Sequence, residues 1–196
     1  MICCNFSTSR LACAPISDDD LDDFYAAFVE SFVHVTAYYR PAWSRYEAIP
    51  PKAAMVAFIN SQQQYSASGE AHMFSVRDKA SGAFIGLAEL HSIDLSVPKA
   101  RLGYWVRDRK AGQGYATEMA LALSHIGFDW LQCRRLEIRN EIRNPAGGAI
   151  ACKIGYDFLT IFEKNKQGKP GDFWDLKIYA CLSKDKLPDM DIEYHD

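Results

Sequence analysis

Residues 102–119 read Leu102-Gly-Tyr-Trp-Val-Arg-Asp-Arg109-Lys-Ala-Gly112-Gln-Gly114-Tyr-Ala-Thr-Glu-Met119. The first part is a strand: Tyr104, Trp105 and Val106 are aromatic or β-branched and suit a pleated, half-buried surface. A short polar loop with two cations and two glycines follows. From Ala116 to Trp130 the pattern is helical. The first N–H groups of a helix have no partner within it, and its dipole places partial positive charge there. Glycine allows close approach of backbone to a ligand. The loop from Arg109 to Tyr115 is therefore expected to hold a phosphate.

The flanking chain supplies the remaining elements. Leu11 to Ile16 reads as a first strand stopped by Pro15. Ser17 opens a helix with Asp20 in capping-box position, and the aspartates between Asp18 and Asp23 sit where the dipole favours anions. An aromatic connection, Tyr38-Tyr39-Arg40-Pro41-Ala42-Trp43 and on to Pro50-Pro51, either lines a site or packs over the core. A second helix is expected near Lys52 to Ser66. Ala71 to Arg77 and Ala83 to His91 form a hairpin, and Lys99 to Arg107 is the third antiparallel strand.

Beyond the central helix, Arg135 to Arg139 alternates as a strand. The intervening helix requires it to run parallel to the third strand. Asn144-Pro145 starts a short helix ended by Gly155. Tyr156 to Glu163 and Phe173 to Leu182 are strands joined by a long loop, Asn165 to Gly171. The expectation is one α/β (α+β) domain over residues 1–196: a mixed, mostly antiparallel sheet flanked by helices, with loose ends at about 1–9 and 185–196.

Composition narrows the function. The net charge of −3 argues against nucleic acid, and no apolar run is long enough to span a bilayer. The start, Met-Ile-Cys-Cys-Asn-Phe-Ser, lacks a secretory pattern. None of Cys3, Cys4, Cys13, Cys133, Cys152 and Cys181 forms a C-x-x-C pair, so a metal is not expected. Cys133 and Cys152 fall in apolar patterns and read as small hydrophobes. These features point to a cytoplasmic protein with reduced thiols.

The glycine loop fits neither common nucleotide fingerprint. A P-loop needs Lys directly after its last glycine, and here Tyr115 follows Gly114. A dinucleotide fold needs a third glycine where Thr117 stands. The pattern Arg109-x-x-Gly112-x-Gly114 instead resembles the GNAT superfamily of acyl-CoA-dependent N-acetyltransferases, more narrowly its RimL-like ribosomal-protein subgroup. Gly86 to Asp94, Ala100 to Val106, Arg139 to Asn144 and Lys153 to Tyr156 fall in the family's order and spacing.

The resemblance implies a GNAT fold with a parallel, splayed strand pair at the cofactor site. It implies that Arg109, Lys110, Ala111, Gly112, Gln113, Gly114 and Tyr115 hold the pyrophosphate of acetyl-CoA. Trp105 and Val106 would pair with pantetheine, a backbone N–H there polarising the thioester. Asn144 would face the cofactor arm; its position also suits a helix cap.

The chain departs from the family pattern at two places. Gly147 stands where relatives often carry Ser, and Leu159 where they often carry Glu. The candidate proton-handling groups are then Glu89 and His91, which alternate to one face of their strand, and Tyr156. A free α-amine, with a pKa of roughly 7.7–8.0, needs less help from a base than lysine. The acceptor is expected to be a protein N-terminal α-amine or a small amine. An exposed strand offers a homodimer contact. The alternative is a GNAT-fold acyl-CoA-binding module without catalysis.

Overall fold

The computed structural model describes residues 5–38, 48–167 and 171–195. The Cys3-Cys4 pair and most of the aromatic connection, Trp43 included, lie outside them. In chain order the elements are β1 (Asn5–Ser7), β2 (Leu11–Pro15), α1 (Leu21–Tyr38), α2 (Lys52–Ser68), β3 (His72–Asp78), β4 (Phe84–Asp94), β5 (Lys99–Val106), α3 (Tyr115–Asp129), β6 (Arg135–Glu141), α4 (Pro145–Lys153), β7 (Asp157–Gln167), β8 (Phe173–Cys181) and β9 (Glu193–His195). The strands form one sheet in the order β7-β8-β6-β5-β4-β3-β2-β1-β9. Among the described residues β5 and β6 run parallel and every other neighbouring pair antiparallel.

Period-two alternation divides the core between the two faces of this sheet. On one face Ala88, Leu90, Ala100, Leu102, Leu136 and Ile138 pack against α3 and α4. On the other, Met73 and Leu87 pack against Phe24 and Phe28 of α1 and Met55 and Ile59 of α2. Phe24 and Phe28 are four residues apart, hence on one helix face, and each is 1% exposed. Burying each is worth about 1.5–3 kcal/mol. At the head of α1 the Asp20 carboxylate accepts the Ser17 backbone N–H at 3.1 Å, as the capping reading required.

Three expectations need correction. The described parts of the two ends are not loose: β1 pairs with both β2 and β9. Phe6, 2% exposed, packs edge-on to Phe74 at 5.1 Å, and Tyr194 stacks on Trp130 at 4.6 Å. These aromatic contacts anchor polar segments that carry little strand signal of their own. Asn165 to Gln167 continue β7 instead of forming loop, because Lys166 and Gln167 pair with Trp174 and Phe173 across a register shift. Cys152 is exposed on α4, whereas Cys13, Cys133 and Cys181 are buried.

Candidate active site

Two neighbouring strands part company at the centre of the sheet. β5 pairs with β6 as far as Leu102↔Ile138. Beyond that point β5 stays with β4 to Gly86↔Val106, while β6 stays with β8 to Glu141↔Leu176. Gly103 to Val106 therefore face a gap, and all four are partly exposed. The Arg107 N–H donates to the Ile85 carbonyl at 2.8 Å, so Arg107 and Trp105 turn their backbone groups toward β4. By alternation Tyr104 and Val106 turn theirs into the gap. This is an open ladder edge able to pair with amides of an extended ligand.

The glycine loop closes one end of the gap. Gly112 and Gly114 have φ of +74° and +84°, conformations that glycine adopts without strain. Gly114 is the N-cap of α3. Among the described residues the N–H groups of Gly112, Gln113 and Gly114 donate to no protein acceptor. Ala111, Gly112, Gln113 and Gly114 are exposed, and Lys110 Nζ lies 5.9 Å from the Tyr115 ring. Tyr115 is buried and its hydroxyl donates to Asp78 at 2.8 Å, fixing the foot of the helix. This arrangement suits the diphosphate of CoA.

Arg109 is engaged differently from the sequence expectation. Its side chain ion-pairs with Glu30 of α1, and its N–H donates to Glu30 Oε1 at 2.9 Å. Arg107 reaches the same carboxylate at 2.7 Å. Burial alone would raise the pKa of Glu30, but hydrogen bonds from Arg109 and Arg107 prevail and hold it at about 2. The hydroxyl of Ser31, fully buried, accepts the Asp108 N–H at 2.9 Å. Arg109 thus braces the loop against α1.

The candidate proton carriers separate. Glu89 and His91 share the α1–α2 side of the sheet. Glu89 lies across Gly103, where a Cβ would fall 2.4 Å from its Oε1. Burial pushes Glu89 up to about 7. His91 is driven down to about 4, by burial first and then by Arg101, Arg139 and Lys166. Its Nδ1 is 3.0 Å from Ser92 Oγ. Tyr156 is elsewhere: it is 3% exposed in the α3-side core, with its hydroxyl 2.9 Å from Ser124 Oγ. Burial raises its pKa, outweighing the hydrogen bond with Ser124, so it is a core contact and not an exposed acid.

Asn144 caps α4, its Oδ1 accepting the Gly147 N–H at 3.3 Å. Beneath it Asn140 Nδ2 donates to the carbonyls of Asn144 at 2.7 Å and Glu141 at 3.0 Å. A Cβ on Gly147 would fall 2.0 Å from Asn140 Oδ1. Asn140 thus occupies the space a serine at 147 would need.

Four contributors to this geometry were not singled out by the sequence reading. Arg10 donates to the Gln113 carbonyl at 2.9 Å, stacks 4.6 Å from the Tyr115 ring centre and ion-pairs with Glu118 at 2.6 Å. Glu30, Ser31 and Asn140 are the others. For Glu30, Ser31 and Asn140 a polar group on an inward-facing position was the available clue; Arg10, 44% exposed, gave none.

Comparison with known proteins bears on the fold and the family. Residues 10–157 match the family model described as Acetyltransferase (GNAT) domain. An uncharacterized N-acetyltransferase of Bacillus licheniformis, p20, is 26% identical over 134 residues, 67% of this chain and 71% of that protein. The ribosomal L7/L12 α-N-protein acetyltransferase RimL, solved with coenzyme A, superposes with a TM-score of 0.79 at 17% identity, covering 89% of this chain and 95% of that one. RimJ of Mycobacterium smegmatis, solved with a CoA disulfide, gives 0.78 at 17% identity over 92% of this chain and 85% of that one. With a family model spanning most of its length and the strand gap and glycine loop in place, the chain belongs to the GNAT family of N-acetyltransferases.

Proposed function

We propose that this protein transfers the acetyl group of acetyl-CoA directly to a primary amine, a protein N-terminal α-amine or a small amine, in the cytoplasm. The observation that carries this reading is the open edge Gly103–Val106 between the free N–H groups of the glycine loop and the carboxyl of Glu89. Pyrophosphate rests on the loop from Gly112 to Tyr115, pantetheine pairs along Tyr104 and Val106, and the thioester reaches the region of Gly103.

The chemistry follows from these positions. Glu89, poised at about 7, accepts a proton from the incoming ammonium, directly or through a water. The neutral amine attacks the thioester carbonyl, forming the C–N bond. A backbone N–H on the β5 edge stabilises the oxyanion. The C–S bond then breaks, CoA leaves as thiolate, and the nitrogen's remaining excess proton passes to solvent or to the thiolate. With Gly147 in place of a hydroxyl residue, no side chain at that position supplies a proton to the thiolate.

The test is a steady-state assay with acetyl-CoA and a panel of peptide α-amines, lysine peptides and small amines. Acetylated α-amine product is expected. Tight acetyl-CoA binding without turnover of any acceptor would reject catalysis and leave an acyl-CoA-binding module.

A further inference from the structure

The side of the sheet that carries Glu89 and His91 is strongly basic beside them. Arg135, Arg139 and Arg101 converge on the single carboxylate of Glu137, at 2.7, 3.0 and 3.8 Å. Three guanidiniums around one carboxylate leave a local excess of positive charge in a chain whose net charge is −3. Lys166 lies close enough to act on His91 with Arg101 and Arg139. A basic excess beside a proposed reaction centre favours an anionic partner.

Arg101 is the most loosely held of the three. Its nearest carboxylate is at 3.8 Å, its hydrogen bond to Ser92 Oγ is 3.5 Å long, and its side chain is 36% exposed. Arg139, by contrast, is fixed by two hydrogen bonds to Glu137 at 3.0 and 3.1 Å and lies 5.5 Å over the Phe162 ring. Arg101 pairs with His91 across the ladder, and Gly103 pairs with Glu89. Two residues of strand separate Arg101 from Gly103, about 7 Å. That is close to the span from an α-amine to a side-chain carboxylate on the next residue of a peptide.

Resting on the transferase reading above, we propose that the acceptor carries a carboxylate close to its reacting amine, and that Arg101, supported by Arg139, binds it. A guanidinium receives a carboxylate through two parallel N–H donors, which would orient the amine toward Glu89 as well as hold it. Arg101 is then a specificity determinant with no part in proton transfer.

The experiment compares kcat/KM for the tripeptides Ser-Asp-Ala, Ser-Asn-Ala and Ser-Lys-Ala, and for free glutamate and glutamine as small acceptors. The aspartyl peptide is expected to exceed its asparaginyl counterpart by about tenfold or more. A corresponding preference for glutamate over glutamine would instead name a small acid as the source of the carboxylate. Arg101→Gln should bring the ratio close to one with the KM for acetyl-CoA unchanged; Arg139→Gln should lower it less. An acetyl-CoA-dependent thermal shift establishes that each variant is folded.

A second readout needs no turnover: calorimetry of the N-acetylated tripeptides on the CoA-saturated protein. Equal behaviour of acidic and neutral peptides, or a preference that survives in Arg101→Gln, overturns the proposal while leaving the transferase reading intact. Absence of turnover with every acceptor fails the transferase reading, and the calorimetric preference still decides whether the anion site exists.

Discussion

Asn140 fills the space that a side chain on Gly147 would require: a Cβ there falls 2.0 Å from Asn140 Oδ1. The two residues are matched. Asn140 also ties the end of β6 to the start of α4 through the carbonyls of Glu141 and Asn144. Gly147→Ser is therefore expected to lose stability and to gain no catalysis. Overpacking of this kind typically costs about 1–3 kcal/mol. Chemical denaturation of wild type and variant measures the loss, and a rise in kcat for the variant would refute the argument.

Glu89 makes the sharpest catalytic prediction. Replacing it by glutamine keeps the shape above Gly103 and removes the base, so kcat should fall about 10²–10⁴-fold, the usual contribution of a positioned base. For wild type, log kcat should climb with pH and level off above about 7, because the group must lose its proton to act. The acid limb should be absent in Glu89→Gln. His91→Gln, with the imidazole already neutral above about 4, should leave that limb in place. A pH profile of kcat for the three proteins decides the assignment.

Glu30 links α1 to the cofactor loop through Arg107 and Arg109. Its pKa in the folded protein, about 2, lies below the unfolded carboxyl value of roughly 4.3. A depressed folded pKa adds stability above the unfolded value, and that stability is lost as pH falls from about 4 toward 2. Glu30→Gln should abolish this part of the acid dependence of Tm. It should also raise the KM for acetyl-CoA several-fold, because the loop loses its brace. A Tm series from pH 2 to 7, read with acetyl-CoA kinetics at pH 7, tests both effects.

Much of this was legible in the chain, for identifiable reasons. Strands such as Lys99–Val106 and helices such as Lys52–Ser68 follow from local pattern, and Asn144-Pro145 announces its own cap. The parallel β5–β6 pair follows from the length of the connection between them. What local pattern does not carry is the partner of a side chain. Arg109 looks like a phosphate ligand beside two glycines, yet its guanidinium is held by a glutamate far away in sequence. Residues 193–195 look like a polar tail until β1 provides a ladder. Glu89 is a candidate base in the sequence, but its place over Gly103 comes only from the register of β4 on β5.

Arg10 is the last such case. It precedes β2, and no motif marks it. Its guanidinium bridges Glu118 on the first turn of α3 and the Gln113 carbonyl in the glycine loop, and it covers the Tyr115 ring. The side chain of Glu118 is 9% exposed, and it accepts further hydrogen bonds from Thr8 Oγ1 at 2.5 Å and from the Arg10 N–H at 3.1 Å. Arg10→Ala would leave this carboxylate without its cation, and breaking a buried pair from one side can cost about 3–5 kcal/mol. Arg10 itself is 44% exposed, so water compensates in part and a loss of about 1–2 kcal/mol is expected. The loop would also lose its tie at Gln113, and the Kd for CoA should rise several-fold. Arg10→Lys should recover stability better than affinity, because a single ammonium cannot serve Glu118 and Gln113 together in the forked geometry of guanidinium. Denaturation and calorimetric CoA titration of both variants separate the two roles; equal recovery of both quantities by lysine would show that charge alone matters.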